Sequence, residues 1–317
     1  MNVILRFMEK NSKNWSIIGI WNEEENLDRY EIKARDYINA TDIGKPFLDR
    51  YYKMIGEPET NPFEPRILRI FSAGEEFHFL LRRIFRKIGF LIDYEQRIEI
   101  PATETLLKVV GYYDMKLGGN VNLVKAEEAI NKEDFSDFIK AKALKIAKYF
   151  AERYPNGLEP VICEVKSVNS LAFVAHQHGK GYLKDVYPHH VLQIYTYLKA
   201  TGIRQGRLLY ISKDNLLIEE HLVNLNDRNW ENLWQLDIKT MSDFYRNKVL
   251  PPRESDIVKD EEGKWKPNWR IERSTYLTKI TGFKDKKEWM EYAKNLAKEE
   301  NKKSKKSKKN EKSKSQN

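Results

Sequence analysis

The sequence predicts an α/β fold, a central mixed β-sheet flanked by helices. Three observations carry that prediction. A run over 65–89 places Ile67, Ile70, Phe71, Phe77, Leu81, Ile84 and Ile88 near the 3.6-residue period of a helix. Two strand-like segments follow at 91–100 and 106–117, and a third, rich in β-branched residues, lies at 161–168. A helix over 182–201, stopped by Gly202, then leads to a strand at 207–212. With a helix at 134–153 set aside as an insertion, the order is αβββαβ, and a strand pair joined by a crossover helix to a further strand makes a mixed sheet.

Extra elements extend this core at both ends. Thr41 or Asp42 caps a helix running to about residue 55, ahead of a loop holding Pro58, Pro62 and Pro65. A strand over 216–223 and a helix over 227–248 close the body before Pro251 and Pro252. The domain reading is an appended element at 1–38, a main domain at 39–283 with a helical insertion over 118–158, a helix at 284–300, and a tail at 301–317. Of the net charge of +9, the tail supplies +7 through eight lysines against one glutamate, leaving about +2 for the rest. With no apolar residue to bury and like charges repelling, the tail is expected to be disordered and able to bind phosphates nonspecifically.

Composition excludes several function classes. Cys163 is the single cysteine, so internal disulfides and multi-cysteine zinc or iron-sulfur sites are ruled out, and a reducing compartment fits. The longest apolar runs fall well short of the roughly 20 residues a membrane span needs, and no signal-peptide pattern opens the chain. The expectation is a soluble, cytoplasmic protein with no membrane association.

Chemistry concentrates in two places. In the strand V-I-C-E-V-K-S-V, alternation puts Glu164 and Lys166 on one face and Cys163 and Val165 on the other. By itself such a pair reads as an edge-strand salt bridge. Asp114 ends the run V-V-G-Y-Y-D, where a turn-forming role is the plainer reading. If the two strands are neighbours, Asp114 and Glu164 present two carboxylates to one hard cation, which suits magnesium with its remaining shell of waters and substrate phosphate.

G-Y-Y-D at 111–114 followed by C-E-V-K-S at 163–167 resembles the divided catalytic motif of PD-(D/E)XK nucleases, with Gly111 near the position of the name-giving proline. The resemblance is to the RecB-like branch, which includes RecB-family exonucleases and CRISPR-associated adaptation exonucleases. His78 in G-E-E-F-H looks like that branch's helical metal-binding histidine, and Gln193 and Tyr197 in L-Q-I-Y-T-Y look like its Q-x-x-x-Y motif. The likeness covers about 40–280, including A-T-D-I-G-K-P-F-L-D-R-Y-Y at 40–52 as an opening segment.

The resemblance implies a restriction-endonuclease-like core and a metal-dependent deoxyribonuclease. It implies Mg²⁺ or Mn²⁺ held by Asp114, Glu164, the Val165 carbonyl and His78, with Lys166 orienting the attacking water or steadying negative charge. Gln193 and Tyr197 would position the strand or brace Lys166. The iron-sulfur cluster of many relatives is expected to be absent, since neither the segment around Pro46 nor 267–276 holds a cysteine. DNA is the implied partner, with Lys180, Tyr182 and Lys184 as phosphate contacts and with the 118–158 insertion or the lysine-rich tail as a surface for a protein partner. His176, His178, His189 and His190 suggest zinc on residue type alone, but no cysteine pair accompanies them and their spacing fits no structural site. An exonuclease acting on DNA ends, in repair or recombination of a cell or of a virus in its host, is the reading. An endonuclease of the same fold and a noncatalytic DNA-binding or assembly protein stay open.

Overall fold

The computed structural model describes residues 18, 21, 23, 24, 32–171, 173, 187–260 and 263–314. Among them the chain runs through β1 (Tyr37–Asn39), a 3-10 turn (Ala40–Asp42), α1 (Phe47–Met54), α2 (Pro65–Lys87), β2 (Leu91–Ile100) and β3 (Lys108–Gly119). Next come α3 (Leu123–Lys132), α4 (Asp137–Arg153), β4 (Leu158–Val168), α5 (Pro188–Thr201), β5 (Gln205–Ser212) and β6 (Ile218–Asn224). The chain then forms α6 (Arg228–Arg246), β7 (Ile257–Lys259), β8 (Trp265–Pro267), α7 (Trp269–Glu272), α8 (Leu277–Thr281) and α9 (Lys286–Lys314).

Local chemistry explains the boundaries that matter for the site. Pro65 opens α2, a position where its missing N–H costs nothing, and Arg86 and Lys87 in the last turn offset the negative end of the helix dipole. Pro188 opens α5 in the same way, and Gly202 closes it in the left-handed conformation at φ 69°. Every residue of α5 from Val191 to Leu198 is buried. A helix apolar on all sides belongs inside the structure.

Two compact units divide the chain, one of Asp36–Gly44 and Pro65–Ser242 and another of Lys45–Glu64 with the chain from Asp243 onward. The first holds a six-stranded mixed sheet. β3 pairs antiparallel with β2 along one edge, from Leu91↔Leu117 to Ile100↔Val109. Its other edge is shared: β1 pairs parallel over Lys108–Val110, and β4 pairs antiparallel from Met115↔Cys163 to Gly119↔Leu158. Gly111 to Asp114 lie in the gap between these two partners. Beyond β4 the sheet continues with β5 in parallel and β6 antiparallel to it. This is the predicted αβββαβ order with a mixed sheet and flanking helices.

On one face, Leu81 of α2 packs with Met115, Leu117, Cys163, Val165 and Ile211, with Phe77 and Phe85 at the margin. α5 packs against β3, β4 and β5. Gly111 makes its approach possible, because a Cβ there would stand 2.6 Å from the Ala40 Cβ and 2.9 Å from Cε1 of Tyr197. The second unit has its own core of Ile257, Ile271, Leu277, Trp289, Ala293 and Ala297. There Trp289 donates its indole N–H to Asp256 at 2.6 Å.

Several sequence expectations change in detail. The helix expected from 41 or 42 begins at Phe47, because Ala40–Asp42 form a 3-10 turn capped by the Asn39 side chain and Pro46 precedes the helix. The insertion holds two helices, α3 capped by the Asn122 carboxamide in addition to α4. The helix expected to end at 300 is longer, α9 running to Lys314. Lysine is a good helix former, and the apolar stripe of Trp289, Ala293 and Ala297 anchors the helix from which those turns propagate. Residues 182–186 of the expected helix lie outside the described residues. No helix among those described is long and apolar enough to cross a membrane.

Gly111→Ala should destabilise the protein by about 1–3 kcal/mol, the usual cost of forcing atoms into a packed core. Urea unfolding measures this, and a stability equal to wild type would contradict the close approach of Tyr197.

Candidate active site

The ladder between β3 and β4 stops at Met115↔Cys163, one residue short of Asp114 and Glu164. The Val165 N–H donates instead to Oδ2 of Asp114 at 2.7 Å. A side-chain carboxylate thus takes over where the backbone ladder ends, and it ties Asp114 to the Glu164 strand. The other oxygen of Asp114 lies 3.3 Å from Nδ1 of His78, carried in by α2.

Glu164 is 1% exposed. Its Oε1 accepts from Nζ of Lys166 at 2.6 Å and from Nε2 of Gln193 at 2.7 Å. Gln193 also donates to the Tyr197 hydroxyl at 2.8 Å, and Tyr197 is fully buried. Oε2 of Glu164 is buried and has no hydrogen-bond partner among the described residues. Leaving a buried charged acceptor unsatisfied costs on the order of 1–3 kcal/mol or more, and among the atoms so placed this one sits within the cluster of Asp114, Lys166 and His78.

Electrostatics follow the same geometry. Burial, with the nearby Asp114 charge second, pushes the Glu164 carboxyl from 4.5 up to about 7 against the opposing pull of Lys166. His78 is raised from 6.5; burial opposes the rise, and the hydrogen bond to Asp114 with the charges of Asp114 and Glu164 outweighs it. Lys166 is likewise raised, with Glu164 and Asp114 overcoming desolvation. Burial lifts the Tyr197 phenol and the Cys163 thiol far up, so both stay neutral.

The structure therefore brings together His78, Asp114, Glu164, Val165, Lys166, Gln193 and Tyr197. Gln193 bonds both Glu164 and Tyr197; positioning of the strand or bracing of Lys166 is the role expected from the sequence. Lys180, Tyr182 and Lys184, with His176 and His178, lie outside the described residues. Sequence reasoning missed Tyr210, which stands in register with Lys166 on the neighbouring strand and whose hydroxyl lies 3.0 Å from Nδ1 of His190, one turn before Gln193. The three-residue spacing of His190 and Gln193 on one helix was the available signal.

No group of three or more His, Cys, Asp or Glu side chains is arranged to hold a metal among the described residues. Zinc, which wants three or four such ligands, is poorly served. Magnesium commonly takes only one or two carboxylates and completes its shell with water and phosphate. Two neighbouring carboxylates, one with an unsatisfied buried oxygen, fit that requirement.

No protein-family model matches the chain, and no curated protein matches it. Among solved structures it is similar to one described as the crystal structure of SSO0001, at 16% identity and a TM-score of 0.45, over 84% of this chain and 96% of that one. It is also similar to an alkaline exonuclease, LHK-Exo, from Laribacter hongkongensis, at 10% identity and a TM-score of 0.39, over 73% of this chain and 93% of that one. The chemical reading of the site rests on its geometry.

The two raised groups fix a sign for pH dependence. Glu164 and His78 both hold protons in the folded state at pH values where the unfolded chain has released them, so in chelator they make stability fall as pH rises from about 5 to 8. Glu164→Gln removes one of these groups, and its melting temperature should fall less than that of wild type over this range. Equal pH dependence of the two proteins would contradict the assigned environment of Glu164.

Proposed function

We propose that the protein is a metal-dependent DNA nuclease that hydrolyses phosphodiester bonds, acting as an exonuclease on DNA ends. The observation that carries this reading is the orphaned buried oxygen of Glu164, in a cluster with Asp114, Lys166 and His78 drawn from three separate elements. An unsatisfied buried carboxylate oxygen among several ionisable groups with shifted titration is the pattern that supports a functional site.

Asp114 and Glu164 would hold the ion, Mg²⁺ or Mn²⁺, with water and substrate phosphate filling the rest of its shell. The Val165 carbonyl and the His78 ring are further donors by the family resemblance, and His78 would join only by leaving Asp114, which it faces at 3.3 Å. A bound divalent ion supplies an acidified water and offsets negative charge on the phosphoryl group. The chain's own groups do the rest. Gln193 and Lys166 fix the Glu164 carboxylate through one oxygen and leave the other directed to its task. Asp114 is held from two sides, by the Val165 N–H and by His78. Lys166, a cation beside these carboxylates, stabilises charge that develops on the phosphate in the transition state. The end preference comes from the resemblance of G-Y-Y-D, C-E-V-K-S and the Q-x-x-x-Y pair to RecB-like exonucleases.

Linear and covalently closed circular DNA, single- and double-stranded, offered with Mg²⁺, Mn²⁺ or chelator, test the proposal. Linear substrates should be degraded from their ends with either metal and not with chelator. Asp114→Ala, Glu164→Ala and Lys166→Ala should each lower the rate by at least about 100-fold, the scale of losing one preorganised electrostatic group, while circular dichroism stays native. Cutting of circles selects an endonuclease. Binding without cutting, or full activity in all three variants, removes the catalytic assignment.

A further inference from the structure

We propose that a cleft beside the site, between the end of α2, the start of β2 and the insertion helix α3, binds an unpaired strand of nucleic acid. The cleft has a volume of about 730 Å³. The proposal rests on the nuclease reading for its substrate class, and the test below separates the two.

The cleft shares no lining residue with the site but reaches the strand beside it. Tyr94↔Met115 and Gln96↔Tyr113 flank Glu95, which therefore lies opposite Asp114 across the β2–β3 ladder. Glu95 adopts a left-handed φ of 48°, a conformation costly for a non-glycine residue. It accepts from Nη2 of Arg82 at 2.5 Å. Arg82 follows His78 by one helical turn, and Arg86 follows by a second, so the three form one stripe along α2. From His78 to Arg86 the helix rises about 12 Å, room for about three or four stacked nucleotides at 3.4 Å each.

The lining suits such a strand. Tyr94 is exposed in the cleft, with the guanidinium of Arg82 at 4.3 Å and that of Arg86 at 5.2 Å from its ring centre. Arg82 is buried and backs the ring, while the exposed parts of Tyr94 and Arg86 offer planar surface of the kind unpaired bases stack on, with no preference among bases. Arg83 on α2 and Lys125 and Lys132 on α3 line the cleft from two sides, are exposed, and make no ion pair among the described residues. Five cations, Arg83, Arg86, Lys87, Lys125 and Lys132, line the cleft against four acids, Asp93, Glu95, Glu128 and Glu133, and Glu95 is further countered by its ion pair with Arg82, so the balance of the lining is positive. A set of cations and one ring on the strand beside a phosphodiester-cleaving site is an arrangement that can hold a strand by its phosphates.

The test is anisotropy of a fluorescein-labelled single-stranded DNA, in chelator so that nothing is cut, at several salt concentrations. The variant Arg83→Ala/Lys125→Ala/Lys132→Ala is compared with wild type and with Lys142→Ala/Lys145→Ala/Lys148→Ala, an equal change of charge on exposed positions of α4. The cleft variant should bind at least about tenfold more weakly, with its logarithmic salt slope reduced by about 2 for three lost single-strand phosphate contacts; the α4 variant should bind within about twofold of wild type. Equal losses in both variants, or none in the cleft variant, would overturn the proposal. No binding by wild type would do so too, leaving the cleft to a protein partner. If wild type cuts DNA and the cleft variant binds and cuts equally well, the cleft assignment fails and the nuclease reading stands. If nothing cuts but the cleft variant loses binding, the nuclease reading fails and the cleft stands.

Discussion

One oxygen of the Glu164 carboxylate is held twice, by Lys166 and Gln193, and the other is buried with no partner among the described residues. Much of the first unit bears on that imbalance. Lys166 shares the face of β4 by strand alternation, Gln193 descends from the wholly buried helix α5, and Tyr197 one turn further on fixes the Gln193 amide from behind. Asp114 reaches the same spot because the β3–β4 ladder gives out there and its carboxylate takes the Val165 N–H.

Such a site does not stabilise the fold. A buried ion pair recovers its desolvation cost only when all its remaining polar atoms are satisfied, and here one is not. Stability comes from the apolar layer on the opposite face, where Leu81, Met115, Leu117, Cys163, Val165 and Ile211 close together. Period-two alternation makes both possible in one strand: Cys163 and Val165 anchor β4 in the apolar layer while Glu164 and Lys166 meet on the other face. Gly111 contributes by lacking a side chain, which lets Ala40 and Tyr197 come close to β3 in the gap between β1 and β4.

Much of this was readable from residues alone. The order αβββαβ follows from hydrophobic period, from Pro65 at the start of α2 and from Gly202 at the end of α5, which are local properties. The sequence reading opens α5 at 182, six residues before its start at Pro188. The pairing of Glu164 with Lys166, and of Gln193 with Tyr197, is fixed by strand and helix geometry over a few residues. What depends on register was not readable. The end of the β3–β4 ladder, the capture of the Val165 N–H, the placing of Glu95 opposite Asp114 and of Tyr210 beside Lys166 all require knowing which residues face each other across strands. At the lysine-rich end composition argues for a solvated chain, while helix propagation from the Trp289 stripe favours turns continuing past residue 300.

The central claim is that Glu164 keeps an oxygen for a hard divalent ion shared with Asp114. Titration calorimetry of Mn²⁺ into chelator-treated protein addresses it without any substrate. Wild type should bind the ion, and Glu164→Gln, which keeps shape and removes charge, should bind it more weakly by at least about tenfold, since changes even to residues behind a metal's ligands cost that much. Mn²⁺ binding of the same affinity and stoichiometry in both proteins would contradict the account.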